Sequence, residues 1–203
     1  RDDDILVISK PSGLLSVRGK ECQTSVETWA ENICRDYSGP KIVHRLDQDT
    51  SGIMVIALNI NAYHNLQKQF ENHSIQKKYV ALTEKIPSIK EQTIILPLAP
   101  DVSNRPMQMI SREYGLYAET YYKVVNEKEG KAMIDVYPRT GRTHQIRVHL
   151  SCKEGADAPI VGDRLYGSKS IVCRLMLHAE KITFEHPSTK KEMTFEDKAP
   201  FGL

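Results

Sequence analysis

The chain has 203 residues, with 28 Lys and Arg against 26 Asp and Glu, a formal net charge of +2. Its longest apolar run, Ile53-Met54-Val55-Ile56-Ala57-Leu58, falls far short of the roughly 20 apolar residues of a membrane-spanning helix, so no membrane partner is expected. The length is ample for one domain with its own core, and so small a net charge neither requires nor forbids a polyanionic partner. Such a partner would need cations concentrated somewhere along the chain.

Arg1-Asp2-Asp3-Asp4 is acidic where a secretory signal would be basic, so no signal peptide is read, and the absent initiator Met points to residues upstream. Asp4 to Ser9 reads as a buried strand, stopped by Lys10-Pro11-Ser12-Gly13. Ser25 to Arg35 reads as a helix with Val26, Trp29 and Ile33 on one stripe. Ile53 to Leu58 predicts a central strand, and Asn61 to Asn72 a helix capped by Asn61, with Ala62, Leu66 and Phe70 on its apolar face. Lys78 to Thr83 alternates as a strand. Ala118 to Val125 and Lys131 to Tyr137 predict a hairpin around Asn126 to Gly130. Thr143 to Cys152 satisfies both strand and helix spacing; Thr143 as a cap tips the reading to helix. Arg174 to Phe184 reads as a closing strand. Strands outnumber helices and hairpins imply antiparallel pairing, so the expected class is α+β, in one domain spanning residues 1–203.

Two stretches concentrate chemistry. His44-Arg45-Leu46-Asp47-Gln48-Asp49-Thr50-Ser51-Gly52 sets a polar loop with two carboxylates directly before a buried strand. On composition alone a solvated turn is the commoner use of such residues. From Arg139 to Lys153 there are four cations, Arg139, Arg142, Arg147 and Lys153, and no acid, with His144 and His149 among them. Arginine forks bind phosphates, and a Thr-capped helix start would offer free N–H groups to an anion, so this run reads as either an anion contact or a solvated helix face. Arg105 and Arg112, with Lys77, Lys78 and Tyr79, add basic residues beside an aromatic ring.

Other chemistries fit poorly. No G-x-S-x-G, P-loop or G-x-G-x-x-G is present. The residues that could hold a metal, His44, Asp47, Asp49, His144 and His149, lack H-x-x-x-H spacing and stand among arginines that would repel a cation, so no metal site is expected. Cys22, Cys34, Cys152 and Cys173 form no C-x-x-C pair and read as free thiols of a reducing cytoplasm.

Taken in order, Lys10-Pro11-Ser12-Gly13-Leu14, His44-Arg45-Leu46-Asp47 with Thr50-Ser51-Gly52, Tyr79 within Lys-Lys-Tyr-Val-Ala, Gly141-Arg142-Thr143-His144-Gln145-Ile146-Arg147-Val148-His149, and Pro159-Ile160-Val161-Gly162-Asp163 resemble the RluA-type pseudouridine synthases. Leu96-Pro97-Leu98 and Asn104-Arg105-Pro106 are similar to members that act on both rRNA and tRNA.

The resemblance implies the pseudouridine synthase catalytic fold, a bent, mixed, mainly antiparallel sheet flanked by helices and loops, without the S4-like RNA-binding domain of some relatives. It implies isomerisation of uridine in an rRNA or tRNA stem-loop, with no cofactor or metal, by a cytoplasmic monomer. Asp47 would be the catalytic carboxylate, acting at C1′, at C6 or on the 2′ proton; these alternatives stay open. Arg147 would pair with Asp47 and hold it ionised and oriented. Tyr79 would stack on the flipped uracil, and Arg45 would fill the space the base vacates. Arg105, Arg139 and Arg142 would contact phosphates. A binding-only module would keep the arginines without needing Asp47.

Overall fold

The computed structural model describes residues 1–19, 22–168 and 174–203. Cys173, expected as a free thiol, lies outside the described residues. Backbone contacts group the chain into two compact units, Arg1–Gln76 with Ala179–Lys198, and Lys77–His178 with Ala199–Leu203.

In the first unit, β1 (Ile5–Lys10) runs antiparallel to β2 (Ser51–Ala57), from the Ile5–Ala57 pair to the Lys10–Gly52 pair. Every residue of β2 is buried, as an unbroken apolar run requires. Most of β9 (Leu177–Glu185) and all of β10 (Glu192–Glu196) belong here, paired antiparallel, with β9 beside β2. Two helices pack with these strands. In α1 (Val26–Ile33) the Ser25 hydroxyl accepts from Thr28 N at 3.1 Å, the cap expected of serine. Its buried stripe is Val26, Ala30 and Cys34, while Trp29 and Ile33 are over 40% exposed. The helix is thus rolled by about one position from the expected Val26, Trp29, Ile33 face.

Helix α2 (Ile60–Glu71) is capped by Asn59, whose side chain accepts from Ala62 N at 2.8 Å. The expected cap, Asn61, already lies inside the first turn; only the extended Asn59 can reach back to the third N–H. Ala62 and Leu66 are buried with Ile5, Ile53, Val55, Ile182 and Phe184, and Phe70 packs against this cluster.

The second unit holds a four-strand antiparallel array in the order β3 (Gln76–Thr83), β8 (Lys131–Pro138), β7 (Glu119–Lys128), β4 (Glu91–Ile95). The hairpin is tighter than expected. Its strands run to Lys128 and Lys131, and only Glu129 and Gly130 turn, both at positive φ. A bulge at Val125 takes up the residue that the longer strands would leave out of register. A short ribbon, β5 (Leu98–Pro100) with β6 (Gln108–Ile110), completes the strands. Ala81, Ile94, Tyr122, Ile134, Val136, Ile146, Leu150 and Leu177 fill the core. Among the described residues, few helices against many strands give the α+β class the sequence predicts.

Helix α3 (Gln145–Ser151) is short and buried on nearly all sides. Its cap position is His144, in the left-handed region at φ 54 and with no side-chain capping bond, so Thr143 is not the cap. Gln145 sets this start instead. Its Oε1 accepts from Thr140 Oγ1 (2.7 Å) and Arg142 N (3.0 Å), and its Nε2 donates to Glu119 O and Thr120 Oγ1, both at 2.9 Å. The side chain of Gln145, not a threonine cap, thus ties the start of α3 to the 140–142 segment and to β7.

The network continues to His149. Its Nε2 lies 2.9 Å from Leu96 O, which can only accept, so Nε2 carries the proton. Nδ1 is then an acceptor for Thr120 Oγ1–H at 2.9 Å. Burial pushes the imidazole below its ordinary 6.5. The unfolded chain therefore binds this proton more readily than the folded one, and the stabilisation is complete above the ordinary 6.5 and is lost as pH falls from there through the lower folded value. Thermal melts from pH 7.5 to 5.5 should show the stability gap between wild type and His149→Gln narrowing toward acid; a gap independent of pH would refute the neutral, buried imidazole.

Candidate active site

The loop before β2 is bolted down from one side. Lys10, fully buried at the end of β1, donates from Nζ to the carbonyls of Pro11 (2.9 Å), Leu14 (2.7 Å) and Gln48 (2.9 Å). An ammonium cannot be buried without such acceptors, so the chain after β1 and the chain at Gln48 are drawn onto one point. Ser16 Oγ donates to Leu46 O (2.6 Å) and accepts from Leu46 N (3.0 Å). Ser12 Oγ donates to Asp49 O (2.6 Å), and Gly13 N donates to Gln48 O (2.9 Å). Leu46, Gln48 and Asp49 are thus each held by the 10–16 segment, and Asp47 sits between them, half-buried.

Leu46 is buried while Arg45 is exposed. The alternation sends the leucine into the core and leaves Arg45 and Asp47 on the outer side. His44 is a bracket: Nε2 accepts from Val55 N at 2.9 Å, and its ring stacks on Phe70 at 4.6 Å between centroids. Gly52 ends the loop at φ +117, where an added Cβ would lie 2.3 Å from Ala179 O, so no other residue fits this approach.

In the second unit Arg147 is 4% exposed. Nε donates to Asp163 Oδ2 and Nη2 to Asp163 Oδ1, each at 2.8 Å, a two-pronged pair. Asp163 Oδ1 also accepts from Leu165 N (3.0 Å) and Tyr166 N (3.1 Å), so the carboxylate is itself fixed. The Arg147 guanidinium lies 5.2 Å from the Tyr166 ring centroid. Tyr166 OH accepts from Gln108 N at 2.7 Å and bonds His144 Nδ1 at 2.8 Å. Gly162, at φ +77, brings the chain against Arg174 O, 2.0 Å from where a Cβ would stand. The Gly162-Asp163 pair is therefore a turn built to present one carboxylate to Arg147. Sequence reasoning quoted these two residues without a role; the signal was a carboxylate just after a glycine turn, facing an arginine otherwise destined for burial.

Tyr79, on β3 opposite Val136, is half-buried against the second unit's core. Lys77 donates to Thr140 O at 3.3 Å, and burial pulls its ammonium down to about 8. Lys78 pairs with Asp135 at 3.1 Å.

The acid-free run is not one surface. Arg139, Arg142 and Lys153 are exposed, whereas Arg147 and His149 are interior. Acids from elsewhere also enter it: Glu119 lies 3.8 Å from Arg139. Arg112 is paired with Glu154 at 2.8 Å. Arg142 Nε donates to Tyr117 O at 3.1 Å, which gathers Arg139, Arg142, Tyr117 and Glu119 in one place. Arg105 stands apart from that group, exposed in the turn that joins β5 to β6.

Among the described residues, Asp2, Asp4 and His186 come close enough to share an ion, and none belongs to the set considered from sequence. The His186 ring argues against that use. Nδ1 accepts from Ser188 N (3.3 Å) and Thr189 N (3.1 Å), so the proton is on Nε2, which donates to Asp2 Oδ2 at 3.0 Å. A metal would need that nitrogen's lone pair.

Residues 4–152 match the family model described as RNA pseudouridylate synthase. The chain is 43% identical over 207 residues to the dual-specificity RNA pseudouridine synthase RluA of Escherichia coli K12, covering 99% of this chain and 92% of that protein. Its identity to the Yersinia pestis protein of the same name is 38%, covering 99% and 98%. Among solved structures, human RNA pseudouridylate synthase domain containing 4 superposes with a TM-score of 0.77 at 26% identity, covering 98% of this chain and 87% of that one. Human RNA pseudouridylate synthase domain containing 1 gives 0.80 at 25%, covering 99% and 82%. A buried fork on Arg147, a clamped loop carrying Asp47 and these likenesses over nearly the whole length lead to one statement: the chain belongs to the RNA pseudouridylate synthase family, the RluA-type enzymes that turn uridine in RNA into pseudouridine.

Proposed function

We propose that this chain acts on uridines in stem-loops of rRNA and tRNA, with Asp47 as its catalytic carboxylate. The observation that carries the residue assignment is the clamp on residues 46, 48 and 49, which fixes the backbone on both sides of Asp47 before any substrate arrives. Preset geometry of this kind contributes to rate because the reacting group need not be ordered during the reaction. The reaction is an isomerisation. The N1–C1′ bond breaks, the uracil turns, C5 bonds to C1′, and the proton leaving C5 is balanced by one gained at N1. Asp47 serves at C1′, at C6 or at the 2′ position.

Arg147 supplies the positive charge that pairs with Asp47 and orients it. Asp163 takes Nε and Nη2 of that guanidinium, which fixes its plane. Tyr79 stacks on the flipped uracil, and Arg45 fills the gap in the RNA stack. Arg105, Arg139 and Arg142, all exposed, contact phosphates. The family match runs through both compact units, which supports reading residues 1–203 as one catalytic domain. The free thiols of Cys22, Cys34 and Cys152 suit a cytoplasmic setting, and the proposed residues all come from one chain, as in a monomer.

Product formation separates this reading from a binding-only protein. Asp47→Asn should lose pseudouridine formation on rRNA and tRNA transcripts while keeping RNA affinity within about three-fold, since the substitution removes none of the cations that contact phosphate. Turnover by Asp47→Asn at near wild-type rate would end the assignment. Asp163→Asn leaves Arg147 buried with half a partner. Breaking such a pair costs about 3–5 kcal/mol, roughly 6–20 °C in Tm for a chain of this size. Single-turnover rates should fall with it even below the melting range; an unchanged rate in folded Asp163→Asn would remove Arg147 from the mechanism.

A further inference from the structure

Residues 111–117 form a pinned turn with an unusual surface. Ser111 N donates to Pro97 O (2.9 Å), Gly115 N to Ser111 O (3.0 Å), and Leu116 exchanges both backbone bonds with Leu98 (2.9 and 2.8 Å). The backbone is thus fixed, yet Tyr114, Leu116 and Tyr117 are 63%, 59% and 52% exposed. Large apolar side chains held rigidly in water on a bonded turn mark a contact surface more often than chance does.

Tyr117 is the best-held of the three. Its hydroxyl donates to the Glu119 carboxylate, and its carbonyl accepts from Arg142 Nε at 3.1 Å. Arg139 Nη1 stands 3.8 Å from Glu119, with its side chain 70% exposed. The residue is therefore held at its hydroxyl and at its backbone, about half of it remains in water, and two arginines stand by the groups that hold it. Glu119 is the acid within this group; it orients the phenol and Arg139 together. A ring with a fixed plane beside two cations suits a nucleic-acid base with its neighbouring phosphates. An acidic peptide would use the cations but leave the ring without a partner.

We propose that Tyr117 is a stacking platform for an unpaired base of the substrate RNA other than the reacting uridine, with Arg142 and Arg139 on the adjoining phosphates. This rests on the reading of the chain as an RNA pseudouridine synthase, and it makes Tyr117 a residue that selects among stem-loops.

The test uses the full chain and rRNA and tRNA stem-loop transcripts that wild type binds. Tyr117→Ala should raise Kd and KM roughly 5- to 100-fold, the usual effect of losing one base–aromatic stack, while kcat at saturating RNA changes far less. Tyr117→Phe keeps the ring and should stay near wild type. The salt dependence of Kd adds a readout that packing damage would not give. Arg142→Ala should flatten the slope by about one phosphate contact, whereas Tyr117→Ala should leave it unchanged. Wild-type affinity in folded Tyr117→Ala overturns the platform, as does a Phe variant as weak as the Ala variant. The two readings fail separately. A wild type that binds the RNA through Tyr117 and makes no pseudouridine sinks the synthase reading alone; conversion without a Tyr117 effect sinks the platform alone.

Discussion

A lysine ammonium closed off from water at the end of β1 sets the terms for the first unit. Lys10 needs acceptors, and it takes them from Pro11, Leu14 and, 38 residues further on, Gln48. A buried cation without these carbonyls would cost several kcal/mol, so the loop at Gln48 and the turn after β1 stand or fall together. Asp47 is adjacent to that anchor. The charge that fixes the loop is thus a different charge from the one assigned to chemistry, which lets the loop be rigid while Asp47 remains half-exposed. Replacing Lys10 with an apolar side chain would free the carbonyls and leave the loop to its own turn preferences.

The second unit solves the same problem with an acid. Arg147 is interior, and Asp163, delivered by the Gly162 turn and held by two backbone N–H groups, neutralises it. Beside it, Gln145, Thr120 and His149 form a chain in which each donor meets an acceptor, ending on Leu96 O. A fully satisfied polar network rigidifies what it threads. Here it runs along one face of α3, from Gln145 to His149, and so fixes the helix from which Arg147 projects.

Much of this was legible in the sequence, and what was not has a common cause. The apolar run of β2, the i, i+4 spacing of Ala62 and Leu66 and the alternation of β3 carried enough local signal to be read directly. Strands β4, β5, β6 and β10 did not, because they are three to five residues long and, as in the exposed and half-exposed Glu192–Glu196, bury too little to show a period. Their existence is decided by the strands they pair with, not by a period of their own. Caps failed for a related reason. Asn59 and Asn61 flank Ile60, and only backbone torsion tells which one faces the open N–H groups. At the site, Asp47 stood out by its loop composition, whereas Lys10 read only as part of a strand stop and a motif, and Ser16 had no assigned role. A lysine reads as solvent-facing until three carbonyls from separate segments are seen to converge on it.

The cation run from Arg139 to Lys153 shows why composition alone misjudged the surface. Its one sign suggested a single polyanion patch, but helix α3 turns Arg147 and His149 inward and leaves Arg139, Arg142 and Lys153 outside. The inward members are matched within the fold, Arg147 by Asp163 and His149 by staying neutral. The outward members keep N–H groups facing water. Glu119 enters among them from β7, so the local excess of positive charge is smaller than the run implies, and specificity cannot rest on charge alone. A surface of modest charge that must still choose one stem-loop among many needs contacts that read shape. Fixed rings provide that, since a stacked base is tolerant of sequence but demanding of an unpaired, correctly placed nucleotide. The small net charge does not come from hiding cations, since among the described residues only Lys10, Lys41 and Arg147 are buried; it comes from 26 acids set among 28 Lys and Arg, so that outside, too, a cation such as Arg139 stands beside a carboxylate.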